Sequence, residues 1–366
     1  MYSNMLKDEV IIIDNSHIEI VHKLIKKTHP FFNKITLCVN SFIRKEIDFI
    51  PEVLDKIVFL DVDISTSRFD LDFCSNSPLV LSSIETGSIE FFKFINGLDN
   101  KKFVVLHNIN FWQKKGTLFK ILPRPRSDKH KQMLILLEEA FKLIVLSEEL
   151  KYGIKSYKLK TKTIIFNSAF CEYENTKKVN PDRIKIAIPG QYEQKRKNFD
   201  LVFELITSIK KNRFEFIFLG SPIDKYGKEL ILNFQSLISR GYDIIYFEDF
   251  VSEKVFNDIM LDSDLIFAPI NKKTTFQGIE EVYTKTKITG SIADMIRFQK
   301  PGMLPYFAKV PLGYSDAIFQ YKSLTELVQF LECENLVEFI RVSKETSAKF
   351  KLEVNHNDFI EQLLRV

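Results

Sequence analysis

"RIKIAIPGQYEQKRKNFDLVFELI", residues 183–206, decides how this chain reads. Ile184, Ile186 and Ile188 lie in a short apolar run of the kind buried in a parallel sheet, which turns at Pro189 and Gly190. Polar residues follow, Lys195, Arg196 and Lys197 among them, and an amphipathic helix starts near Asn198. A strand, a glycine and a helix start beside cations outline an anion site. The first-turn N–H groups of a helix have no intrahelical partner, and the helix dipole favours negative charge there.

The strand-then-helix unit recurs on both sides. Upstream, "EVIIID" (9–14), "ITLCVN" (35–40), "KIVFLDVD" (56–63), "PLVLSSIE" (78–85), "KFVVLHNI" (102–109) and "KLIVLSEE" (142–149) read as buried strands. Between them "HIEIVHKLIKKTH" and "SIEFFKFINGL" carry apolar residues at helical spacing, so the first half alternates as in a doubly wound parallel sheet. "CEYENTKKVNPD" is polar and aperiodic, the best linker in the chain. After it "FEFIFLG" (214–220), "DIIYFEDF" (243–250), "DLIFAPI" (264–270) and "GMLPYF" (302–307) repeat the pattern with intervening helices. The expectation is two tandem Rossmann-like domains, 1–172 and 184–342, joined by a linker at 173–183. A closing helix at 343–366 is free to return to the first domain. In open α/β sheets ligands bind at strand C-terminal ends, so the site is expected in the cleft between the two domains.

Composition narrows the function classes. A chain of 366 residues is long for one core, and 34 Phe against 12 Gly set it apart from disordered sequence. A net charge of +4 does not by itself point to nucleic acid, and any anion site must be local. Cys38, Cys74, Cys171 and Cys333 are widely spaced, which suggests neither a zinc site nor a disulfide framework and fits a reducing cytoplasm. Lys7, Asp8 and Glu9 interrupt any signal-peptide core, and no stretch has the roughly 18 apolar residues of a spanning helix.

A second loop strengthens the anion reading. "EEVYTKTKITGSIADMIRFQKPGMLPYF" supplies Lys285 and Lys287, then Gly290, with Ser291 expected as N-cap and Asp294 three residues on, close to a capping box. Two cationic helix starts on one domain suit a nucleoside diphosphate, whose charge must be neutralised as it builds on a leaving group.

These stretches resemble the GT-B nucleotide-sugar glycosyltransferases, particularly the bacterial group that builds capsule, O-antigen and exopolysaccharide. The strand ending in Gly190, the "KN" at Lys197–Asn198, "FIFLG", "YFEDFVSEKVFNDIMLDSDLIFAPI" and "GSIADMIRFQKPGMLPYF" follow that family's order of landmarks. The resemblance implies donor binding by Gly190, Arg196, Lys197, Lys287, Gly290, Ser291 and Asp294, with Lys197 on the diphosphate and Asp294 on the ribose hydroxyls. Gln191 stands where the family usually has Arg, and Thr286 where many members have a Glu. The first domain then receives the acceptor and supplies a base, with His107 and Glu85 as candidates at strand ends.

The expected function is metal-independent transfer of a sugar from a nucleotide diphosphate donor to a glycan or lipid-linked glycan, in surface polysaccharide synthesis. The alternatives are a nucleotide-sugar epimerase of the same fold and a non-catalytic sugar-nucleotide or glycan-binding protein. The "DVD" at Asp61–Asp63 is too short a pattern to argue a metal, and the tandem layout points away from the fold that uses it. Segment 112–132 mixes Lys114, Lys115, Lys120, Arg124, Arg126, Lys129 and Lys131 with Trp112 and Phe119. It is the expected peripheral contact with the inner face of a membrane, and no nucleic-acid module accompanies it.

Overall fold

The computed structural model describes residues 6–366 apart from 48–50, 67–70, 72, 114–126, 156–158, 167–168, 170, 175–176, 211–212, 312 and 350–355. The first half builds a seven-stranded sheet from β1 (Lys7–Ile13), β2 (Phe32–Val39), β3 (Ile57–Asp61), β4 (Leu79–Leu81), β5 (Lys102–Leu106), β6 (Lys142–Val145) and β7 (Thr163–Ile165), in the order β3-β2-β1-β4-β5-β6-β7. The second half builds a six-stranded sheet from β8 (Ile184–Pro189), β9 (Phe214–Leu219), β10 (Asp243–Tyr246) and β11 (Leu265–Phe267) with two later strands. Between β11 and those two lies a hairpin, β12 (Lys273–Phe276) and β13 (Ile279–Val282). The sheet closes with β14 (Gly302–Pro305) and β15 (Ile318–Tyr321), in the order β10-β9-β8-β11-β14-β15. Pairing in both sheets is parallel, for example Ile186 against Phe216 and Ile12 against Val80.

The apolar runs form strands because both faces are covered. Along β9, Phe216 and Phe218 enter one core with Ile186 and Ile188, while Ile217 and Leu219 enter the opposite core with Ala187 and Ile266. A period of two divided between two apolar layers leaves no polar face, which is why these strands read as continuous hydrophobic runs. In each sheet the strand order reverses once, between β1 and β4 and between β8 and β11. The loops leaving those strands therefore diverge, opening a crevice at their C-terminal ends.

Chain order and packing part company in two places. The β12–β13 hairpin follows β11 in sequence, yet Ile279 joins the core of the first sheet, with Phe276 and Ile288 packed against it. Near the C-terminus, the helix His356–Leu364 places Phe359, Ile360 and Leu363 in that same first core, and Phe359 lies 4.9 Å from Phe166, ring centre to ring centre. Among the described residues no helix is long and apolar enough to cross a membrane.

Candidate donor and acceptor cleft

The turn after β8 is held from both sides. Tyr192 is fully buried, donating its hydroxyl to the Phe218 carbonyl at 2.9 Å and accepting the Phe247 N–H at 3.1 Å. Downstream, the Asn198 N–H reaches the Pro269 carbonyl at 2.8 Å, and the Asn271 N–H reaches the Arg196 carbonyl at 2.9 Å. Asn198 caps the helix Phe199–Ser208 by accepting from the Leu201 N–H. The three cations of the turn then separate. Lys195 and Arg196 both pair with Glu193, whose side chain is buried, while Lys197 is buried with its ammonium lying over Gly190. Gly190 has φ of +101°, and a Cβ built there would collide with the Lys197 Nζ. Burial, then the neighbouring charge of Arg196, bring Lys197 down to about 7.

The second loop meets the first across the cavity. Thr289, not Ser291, caps the helix Gly290–Arg297, accepting from the Ser291 N–H at 3.3 Å. The expected capping box is therefore absent, and Asp294 sits inside the helix, half-buried, where it does not serve as a cap. Burial raises Asp294 to about 6, against the pull of Lys23 and Arg297. The Lys287 ammonium contacts the Asn108 side-chain oxygen at 2.5 Å, and burial and Arg196 bring it down to about 8.

One cavity of about 460 Å³ is lined by Gly190, Arg196, Lys197, Lys287, Gly290, Ser291 and Asp294 from the second half, together with His107 from the first. Glu85 does not line it. That carboxyl is buried, only 4% exposed, and desolvation raises its pKa. Thr286 is also absent from the wall, because its hydroxyl accepts the Val282 N–H at 2.8 Å and closes the loop after the hairpin. Of the membrane-contact segment, residues 114–126 lie outside the described set. Trp112 is core, only 1% exposed and set edge-on to Phe92 at 6.3 Å, so it is not available to a bilayer.

Sequence reading missed the contribution of "DNSHIEI" (14–20), the loop leaving β1. His17, Glu19 and Lys23 line the cavity from the start of the helix Ile18–Thr28. The signal was present, a polar run at the C-terminal end of a buried strand on the switch point. Asp14 accepts the backbone N–H groups of Ser16 and His17, both at 2.8 Å, and His17 Nδ1 lies 2.8 Å from Glu19. The rings of His17 and His107 stack 4.5 Å apart at 9°. Below them Arg297 joins Glu253 at 2.9 Å and Glu172 at 3.1 Å, and Glu172 continues to Lys26 of the first helix at 2.9 Å. That chain of ion pairs ties the two halves together at the cavity floor.

The whole chain superposes on solved structures at low identity. The catalytic domain of starch synthase IV from Arabidopsis thaliana, bound to ADP and acarbose, matches with a TM-score of 0.62 and 10% identity over 99% of each chain. HepE of Anabaena, in complex with UDP and glucose, gives 0.61 and 12%, covering 98% of this chain and all of that one. OtsA without ligand gives 0.59 and 9% over the same shares. No family model and no curated protein matches the sequence. Two parallel sheets, a cleft at their switch points and this whole-length correspondence together give the chain the GT-B fold of two Rossmann-like domains.

Proposed function

We propose that the chain transfers a sugar from a nucleoside diphosphate donor to a hydroxyl of a glycan or lipid-linked glycan in surface polysaccharide synthesis. The observation that carries this reading is that Lys197, Lys287, Arg196 and the start of the helix Gly290–Arg297 line one cavity together with His107. Two lysines, an arginine and a helix start suit a pyrophosphate, and a cavity of about 460 Å³ is within the range of sites that enclose small ligands.

In this mechanism the departing diphosphate gathers negative charge as the glycosidic bond to the donor breaks. Lys197 and Lys287, which burial leaves partly neutral in the empty cleft, take up protons from solvent as the anionic donor binds and then, with Arg196, neutralise the charge on the departing diphosphate. Asp294 accepts a donor hydroxyl. His107 is buried, and burial followed by the charge on His17 holds it well below the ordinary imidazole value, so it is neutral and able to take the acceptor proton. The sugar bond forms to the acceptor oxygen, and its proton goes to the imidazole.

A thermal-shift panel of UDP, GDP, CDP and ADP tests the donor half of this reading. A ligand at about 100 times its Kd adds roughly 2.7 kcal/mol of stability. Stabilisation by one nucleotide, lost in Lys197→Ala and Lys287→Ala, is the expected result, and no shift by any of them would end the proposal. Product analysis with and without acceptor then separates transfer from epimerisation, and binding with no turnover would leave a sugar-nucleotide-binding protein.

A further inference from the structure

The two stacked imidazoles are not equivalent. His17 is fixed by its own helix start: Asp14 accepts its backbone N–H, and Glu19 engages Nδ1 at 2.8 Å. His107 comes from the end of β5 and meets a hydroxyl instead, with its Nε2 3.2 Å from Ser83 Oγ. Ser83 itself sits at φ of +49°, an uncommon conformation for a non-glycine residue, in the loop leaving β4. The groups facing His17 are Asp14, Glu19, Glu85 and His107, while those facing His107 are His17, Glu19 and Lys287. Three carboxylates face His17, whereas His107 faces one carboxylate together with a lysine and the other ring.

We infer that His17 is a positioning residue for proton transfer: bound to Glu19, it holds the one proton that the stacked pair retains and so keeps His107 neutral at the cavity wall. Two imidazoliums with centroids 4.5 Å apart repel, so the first to protonate suppresses the other. Partial desolvation opposes charge on His17, whose side chain is about 40% exposed, but Glu19, Asp14 and Glu85 outweigh it and raise its pKa to about 9. The ring flanked by carboxylates is thus the one that keeps the proton. The inference rests on the proposed function only in giving His107 an acceptor to deprotonate. The division of the proton is a property of the ligand-free protein.

Titration of the histidine Cε1–H resonances in the full chain tests it, with assignments from His17→Gln and His107→Gln. His17 is expected to stay protonated through pH 8, and His107 to titrate below the ordinary imidazole range. In His17→Gln, the His107 midpoint is expected to rise by roughly one unit. Glu19→Gln, which leaves both rings in place, is expected to lower the His17 midpoint by a similar amount. A neutral His17 at pH 7, or a His107 midpoint unmoved in His17→Gln and a His17 midpoint unmoved in Glu19→Gln, would overturn the inference. Because no donor or acceptor is present, this failure is distinct from absence of glycosyl transfer. If transfer is detected, the acidic limb of its kcat/KM profile is expected to move upward with the His107 midpoint in His17→Gln, a change that loss of packing alone does not produce.

Discussion

Glu281 accepts the backbone N–H of Phe111 at 2.8 Å, although one residue belongs to the hairpin of the second half and the other to a helix of the first. The same carboxylate takes the Asn110 N–H at 3.3 Å, and the Ile109 N–H reaches the Thr286 carbonyl at 2.9 Å. A Cβ on Gly153, in the helix Glu148–Lys155 of the first half, would strike the Lys285 carbonyl, so the loop lies directly on that second helix as well. Lys287 is therefore presented to the cavity by a segment anchored on the opposite sheet's core. Both halves thus build the cavity lining, and separating them would draw Lys287 away from Lys197.

Burial raises Glu281 to about 7, above its ordinary value of 4.5, despite help from Thr286 and the two backbone donors. A carboxyl whose folded pKa is raised binds a proton in the folded state that the unfolded state has released. Stability through this group therefore increases as pH falls from 8 through 7 toward 4.5. Glu281→Gln, which keeps an acceptor and removes the charge, is expected to be more stable than the parent at pH 8 by about 1–3 kcal/mol, with the difference closing by pH 5. Urea unfolding at both pH values measures it.

Gly190→Ala and Gly241→Ala separate strain from collision. Both glycines have positive φ, +101° and +85°, but a Cβ on Gly241 meets nothing within 4 Å, whereas on Gly190 it strikes Lys197. Each substitution is expected to cost about 1–2 kcal/mol in unfolding free energy. Only Gly190→Ala is expected to weaken nucleoside diphosphate binding, by displacing the lysine from the cavity wall. Chemical denaturation and calorimetric titration of the same variants read the two effects.

Proton uptake should accompany diphosphate binding. Lys197 at about 7 and Lys287 at about 8 are partly neutral in the empty cleft, and a polyanion beside them favours their charged forms. The binding enthalpy at pH 8 is expected to vary with the ionisation enthalpy of the buffer, corresponding to roughly one proton taken up. Lys197→Met is expected to lose much of that dependence and about 10- to 100-fold in affinity.

Arg297→Met tests the floor of the cleft. Arg297 is 5% exposed, and its removal leaves Glu172 and Glu253 without their shared cation. Breaking a buried pair from one side costs about 3–5 kcal/mol. A loss of that size in unfolding free energy is expected, whereas Arg341→Met, on an exposed i,i+3 and i,i+4 pair, should change stability by less than about 1 kcal/mol.

Residues 183–206 show why the second sheet was legible: apolar residues at a period of two, a glycine where φ must be positive, and a polar helix cap are local requirements that local sequence must meet. The cationic loops were legible for the same reason, since a helix start and its neighbouring charges lie within a few residues of each other. Sequence alone thus determined two parallel sheets, a crevice at their strand ends, and the residues carrying positive charge toward it. Tertiary structure decided the rest. It turned Lys195 and Arg196 onto Glu193, buried Glu85 off the cavity, stacked His17 on His107, and seated the hairpin on the core of the other half. Those outcomes depend on desolvation and on contacts between residues far apart in the chain, and neither is written in the spacing of neighbouring side chains.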